Sequence, residues 1–203
     1  MLFVSFVVFV LRSGVSKRKP NSRRPPKPSD GISVRRSTDG KSWVFVHPRE
    51  ARDRAEDLEE VEMMIEAGET DIALDELRWL LSGCAEFIAA HVLLGDIARD
   101  TNDLPLARAH YGAGYQLGLQ TLRRAKMPKP FLYSQLANQS FFEAGRGLVW
   151  ALEKMGKPQM AEEVTSTLLE LDPSDPLQIR SMLDALRTQG KPISDLLGDF
   201  PKQ

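Results

Sequence analysis

Along residues 49–197 apolar side chains recur three and four positions apart, the period of a helix that buries one face. Leu58, Val61 and Ile65 make one stripe, and Ala73, Leu77 and Leu80 make the next. Leu94 with Ala98, and Leu148 with Leu152, make others. Turn-forming residues interrupt the stripes at Gly68, Gly83, Asn102 and Asp103, Pro128 and Pro130, Gly156 to Pro158, and Asp172 with Pro173. The pattern predicts an all-α domain over residues 49–190, followed by a short helix or tail over 191–203. Strands do not alternate with helices in this pattern, and no glycine-rich phosphate loop stands in it.

Upstream the pattern changes. Residues 12–41 are rich in Arg, Lys, Pro and Ser and carry no apolar period, so the whole of 1–41 is expected to lie outside the fold. Polyproline II character is expected around Pro25 and Pro26. Trp43 to Val46 is a β-prone run of four, ended by Pro48, with no second strand in view. Residues 42–48 are therefore predicted to be an extended arm docked on the first helix. The other reading is a strand added between two copies of the chain, giving a homo-oligomer. The first eleven residues, "MLFVSFVVFVL", are apolar but fall short of the ~20 that span a bilayer. They read as translation from a start codon placed too far upstream and a cytoplasmic protein; a membrane anchor through residues 1–11, or a signal lacking its basic leader, is the alternative.

The stripe beginning at Ala73 leads with a small residue where a larger one would bury more. The same thing happens at Ala107, and each alanine follows a turn residue by five positions, Gly68 and Asn102. The two alanines and the two turn residues are therefore set apart by one and the same interval. A third alanine, Ala161, follows Gly156 in the same way, at that interval from Ala107 lengthened by an insertion. A recurring small residue fits two helices that cross closely, with leucines filling the gap as they diverge. Overpacking such a crossing costs about 1–3 kcal/mol.

These spacings resemble the tetratricopeptide repeat, a helix–turn–helix unit of about 34 residues. The middle unit carries Leu94, Gly95, Ala98, Ala107 and Tyr111, with His91 in the place of the usual Trp. The third carries Leu148, Leu152, Ala161 and Pro173, with Thr165 for the aromatic. In the first, Ala73, Leu77 and Leu80 fit the second helix, but Asp57 and Glu60 stand at apolar places of the first, leaving Leu58, Val61 and Met64 to pack. The resemblance covers roughly residues 54–190 and implies an α-solenoid of about three helix pairs. The insertion is expected to lengthen two helices about a Pro128–Pro130 hairpin, one running to about Ala125 and the next starting near Phe131 with Leu132, Leu136 and Phe142 on its apolar side. A last helix, capped by Ser174 or Asp175 with Pro176 in its first turn, would close the stack.

Charge divides the chain. Residues 1–36 carry nine Lys or Arg against Asp30, a net of +8, and the rest carries −9. The basic stretch over residues 12–36 is a candidate for nucleic acid or an anionic surface, ranked second to a protein partner. Capture of this basic tail by the acidic body is a third expectation. Cys84 is the single cysteine, which excludes an intramolecular disulfide, and it reads as a small packed residue. His47, His91 and His110 are far apart in sequence and show no helical metal spacing, so they read as structural or surface residues. Glu59, Glu60, Glu62 and Glu66 read as a solvated face. No nucleophile, metal or cofactor set emerges, and the chain is read as a non-catalytic adaptor.

The resemblance implies where such an adaptor grips. The fifth and ninth residues of each unit face the concave side of a tetratricopeptide stack. Those are Val92 and Asp96, with Arg99 one turn on, and Arg146 and Trp150. The Lys and Asn that clamp a peptide's C-terminal carboxylate in one version of this groove are absent from these places, so a chaperone-tail adaptor of that type is disfavoured.

Overall fold

The computed structural model describes residues 31–188. Among them are one β-hairpin, β1 (Ser33–Arg36) and β2 (Trp43–Val46), and eight helices. The helices are α1 (Arg49–Arg52), α2 (Ala55–Glu66), α3 (Thr70–Gly83), α4 (Ile88–Asp100), α5 (Leu104–Arg124), α6 (Leu136–Lys154), α7 (Pro158–Leu171) and α8 (Ile179–Thr188). The all-α expectation holds for the body of the chain. From α2 to α7 each helix packs on its sequence neighbour, and α4 also packs on α6, and α6 on α8.

The turn residues behind the spacing share one geometry. Gly68, Asn102 and Gly156 are all left-handed, with φ of +79°, 58° and +67°. At each, the residue's own N–H bonds back three positions and the next N–H bonds back five, to Met64, Ala98 and Leu152. This closure satisfies carbonyls that a helix end leaves open. Asp103 then caps α5 by accepting from the Leu106 N–H at 3.0 Å, with Pro105 in the first turn.

The apolar core has two parts that meet on α4. One joins Ala51, Val61, Ala73, Leu77, Leu80, Cys84 and Phe87 to Ala90, Leu94 and Ile97 of α4. The other runs from Ile88 and Val92 of α4 through α5, α6, α7 and α8 to the hairpin. Ala73, Ala107 and Ala161 have no solvent exposure, as the recurring small residue predicts. Leu77, Leu94, Gly95, Tyr111 and Leu148 are buried too, but Pro173, grouped with them by the resemblance, is exposed in the turn after α7.

Four expectations are corrected. The fold begins well before residue 42, because Ser33–Arg36 pairs antiparallel with Trp43–Val46, Val34 opposite Phe45 and Arg36 opposite Trp43. A strand reading "SVRR" hides among the charges of the basic stretch. Second, the arm docks on α5 and α6 rather than on the first helix. Phe45, 2% exposed, stacks edge-on to Phe131 and Phe141. The β2 edge away from β1 is closed as well: Trp43 N–H donates to the Pro130 carbonyl, Phe45 N–H donates to Asn138 Oδ1 at 3.0 Å, and Asn138 Nδ2 donates to the Trp43 carbonyl at 3.0 Å. Both edges of β2 are thus engaged inside one chain, and Trp43–Val46 is no free strand for a second copy.

Third, α6 begins at Leu136, not near Phe131. Residues 131–135 stay out of the helix because their backbone is held from outside: Phe131 N–H by the Leu171 carbonyl, Tyr133 N–H by Asp172 Oδ2. Phe131 is fully buried from this loop, while Leu136, expected on the apolar side, is 82% exposed. Fourth, α8 starts at Ile179. Asp175 does cap it, accepting from Ile179 N–H at 2.8 Å and Arg180 N–H at 3.2 Å, but from a turn that also contains Pro176. Residues 1–30, with the apolar start and most of the basic stretch, and residues 189–203 lie outside the described part. Among the described residues no helix is long and apolar enough to cross a membrane.

Candidate cleft on the inner helices

Val92, Asp96 and Arg99 of α4 and Arg146 and Trp150 of α6 line one cleft of about 650 Å³. The resemblance placed all five on one concave side, and in the fold all five line this cleft. The same stripe spacing that buries Leu94 and Ala98 turns Val92, Asp96 and Arg99 toward the next inner helix. Glu62 of α2 and Met182 of α8 close the cleft at its two sides.

Its floor is Tyr111 of α5, 1% exposed. The ring lies between two glycines. A methyl at Gly95 would sit 2.6 Å from Tyr111 Cδ1, and one at Gly147 would meet the same ring from the other side. No side chain fits at either place without moving the ring, so α4 and α6 both approach α5 closely here. The Tyr111 hydroxyl emerges into the cleft and donates to Asp96 Oδ1 at 2.7 Å. Arg99 reaches the same oxygen at 2.7 Å and also meets Asp100 at 3.1 Å. Burial, followed by the bond to Asp96, pushes the Tyr111 phenol far above its usual range. It is a fixed hydrogen-bond donor at any physiological pH.

A second basin of about 590 Å³ continues the cleft toward the hairpin. Glu62 and Glu143 line both, so the two basins meet at these carboxylates. The outer basin has Phe45, Phe87, Ala89 and Leu136 as its apolar part and Arg35, His47 and Arg52 at its rim. Glu143 is held by the Tyr133 hydroxyl at 3.2 Å. Burial, then the nearby charges of Asp96 and Glu62 acting against Tyr133 and Arg146, hold its carboxyl above the ordinary range. Glu62 is raised too, by burial and by Glu59 and Glu66 along α2. Both carboxylates thus sit at the junction of the basins, with arginines on either side of them.

Three of these residues were missed from sequence. Glu62, read as part of a solvated face, precedes Asp96 by the same interval that separates Ala73 from Ala107, so the repeat itself pointed to it. Glu143 stands at the interval from Ala89 that separates Arg146 from Val92, and Glu143 and Ala89 both line the outer basin; Leu136 had no such signal. The histidines behave otherwise than their separation suggests. His91 and His110 face each other across the α4–α5 turn, with ring centroids 5.8 Å apart. No group of three or more His, Cys, Asp or Glu among the described residues is arranged to hold a metal. Cys84 is buried, and burial raises its thiol above the usual value, away from the reactive thiolate. Of the basic stretch, only Arg35 and Arg36 fall within the described residues; Arg36 lies over the Trp43 ring at 4.6 Å.

Compared with family models, with curated proteins and with solved structures, the chain finds no match.

Proposed function

We propose that this chain is a tetratricopeptide-like helical-repeat adaptor that holds an extended peptide of a protein partner in the cleft, without a reaction of its own. The observation that carries the reading is the convergence of Val92, Asp96, Arg99, Arg146 and Trp150, picked from repeat position alone, on one cleft. Further support comes from the shared turn geometry at Gly68, Asn102 and Gly156 and from the contacts of α4 with α6 and of α6 with α8. A solenoid builds an extended inner surface from such contacts.

The cleft has the parts a peptide needs. Trp150 offers a half-buried aromatic face, Leu136 and Phe87 offer apolar surface, and Arg146 and Glu62 are exposed charges of opposite sign. Aromatic and Arg side chains dominate binding energy at interfaces of this kind. The test is affinity capture with the wild-type chain and with an Arg146→Ala, Trp150→Ala double variant. Met160→Ala, at an exposed residue outside the cleft, serves as the control. Partners lost by the double variant and kept by the control support the reading. Identical partner sets in all three refute it. Arg146→Glu alone, at an exposed residue, gives the same readout if the double variant is unstable.

A further inference from the structure

Ile32 N–H donates to Glu86 Oε2 at 2.8 Å, and Gly31 lies against the same carboxylate. Glu86 precedes Phe87, which lines the outer basin, and Arg35 lines that basin four positions further along the chain. The chain thus enters the described fold close to residues that line the outer basin. What lies upstream is residues 17–27, with six Lys or Arg and no acid, joined to Gly31 through only Pro28, Ser29 and Asp30.

We propose that residues 17–27 are an internal occupant of the cleft, with their cations at the Glu62–Glu143 junction, so that an outside peptide must displace them. This rests on reading the cleft as a peptide site and adds a regulator to it. Charge complementarity selects this occupant. Glu62 and Glu143 line both basins, and among the described residues neither is in an ion pair. Four arginines also line the two basins, and they set the register. Arg99 is engaged by Asp96 and Asp100. Arg35 and Arg52 stand in the outer basin and Arg146 in the inner one, so they repel added cations from both ends toward the middle.

Length suffices. Neighbouring packed helices are ~8–10 Å apart, so the packed run of α4, α6 and α8 is about 16–20 Å wide, and α2 adds Glu62 at its side. Eleven residues in polyproline II form, as Pro20, Pro25 and Pro26 favour, span about 31 Å at ~3.1 Å per residue. Affinity need not be high. Exposed ion pairs contribute about 0.2–1 kcal/mol each, but a short tether supplies an effective concentration in the millimolar range. Weak contacts then suffice to fill the cleft in the absence of a competitor.

Carbodiimide coupling, which joins a lysine amine to a carboxylate only in close contact, tests this on the full chain. The Lys129–Glu170 pair, 3.0 Å apart, is an internal positive control for the coupling. Expected are links from Lys17, Lys19 or Lys27 to Glu62 or Glu143 within one chain. Their yield should fall about tenfold at about 1 M salt, where the Debye length shrinks to about 3 Å. Arg23→Glu with Arg24→Glu, outside the described fold, should abolish them while the control link persists. The proposal is overturned by control links without tail links, or by tail links only to acids outside the cleft such as Glu76 or Glu162. Links that form only between light- and heavy-isotope chains would assign the segment to a second copy and also overturn it. If these links fail while capture of a partner still depends on Arg146 and Trp150, the internal occupant falls and the peptide site stands. If capture is also indifferent to the cleft, both fall.

Discussion

The α2–α3 pair and the α5–α6 pair are built from the same kind of helical hairpin, but they bury different things. In the first, Val61, Ala73, Leu77 and Leu80 are fully enclosed, while Met63, Ile72 and Trp79 remain 60%, 54% and 42% exposed. Trp79 is covered only by the Arg54 guanidinium, 4.2 Å from its ring centroid. In the second, Tyr115, Phe141 and Phe142 interlock with Phe131 from the loop and Phe45 from the hairpin, none more than 3% exposed. Glycine makes the room: a methyl at Gly118 would collide with the Phe141 ring. A terminal pair has a neighbour on one side only, whereas the longer pair is clasped on both. The lesson is that length and enclosure, not helix propensity, decide which of the two regions is held more firmly.

The comparison can be attacked at several strengths. Phe141→Ala should cost about 3–5 kcal/mol, as for a large aromatic removed from a closed core; denaturant unfolding measures it, and a loss below that of Leu77→Ala would reverse the ranking of the two regions. Next come Gly118→Ala and Ala107→Leu, each expected to cost about 1–3 kcal/mol by overpacking despite a better helix former than glycine at the one site and a good one at the other. An unchanged melting temperature for Ala107→Leu would count against a close crossing there. Asn138→Ala leaves the Phe45 N–H and the Trp43 and Leu132 carbonyls without their buried partner. A loss of about 1–3 kcal/mol is expected, with faster amide exchange confined to the hairpin. Without any substitution, amides of α2 and α3 should exchange well before those of α5 and α6; uniform exchange would erase the distinction.

The smallest effect is that of pH. Burial is the main cause holding His47, His91 and His110 below their ordinary value of 6.5. The folded chain therefore binds fewer protons than the unfolded one. Stability from these groups is complete above pH 6.5 and declines as pH falls through it. Melting at about pH 8 and about pH 5.5 should show the decline, and His91→Gln with His110→Gln should flatten it.

Much of this was legible in advance, for identifiable reasons. Ala73, Ala107 and Ala161 are fully buried, as their recurrence predicts, and the resemblance, carried over position by position, picks out Arg146 and Trp150. The end of α5 was legible as well, because Pro128 stops any helix from running on, and α5 ends at Arg124 with Ala125 as its cap. Three things were not legible. Strand β1 has the composition of a solvated tail, and only its partner makes it a strand. Leu136 is exposed where periodicity gives it an apolar side, since the Phe131 and Tyr133 N–H groups donate to Leu171 and Asp172, far downstream, and residues 131–135 stay out of the helix. Glu143 stands at the interval from Ala89 that separates Arg146 from Val92, but nothing in the sequence marks Ala89 itself as a lining residue.

Tyr111 joins two tasks that most proteins keep on separate residues. Its ring is wedged in the interior while its oxygen pins Asp96 at the surface, so that carboxylate cannot swing to follow a guest. On the proposed reading of the cleft as a peptide site, a ligand must come to the carboxylate, which discriminates by position. Tyr111→Phe, which keeps the wedge and frees the pin, should leave folding nearly intact and make the site less choosy.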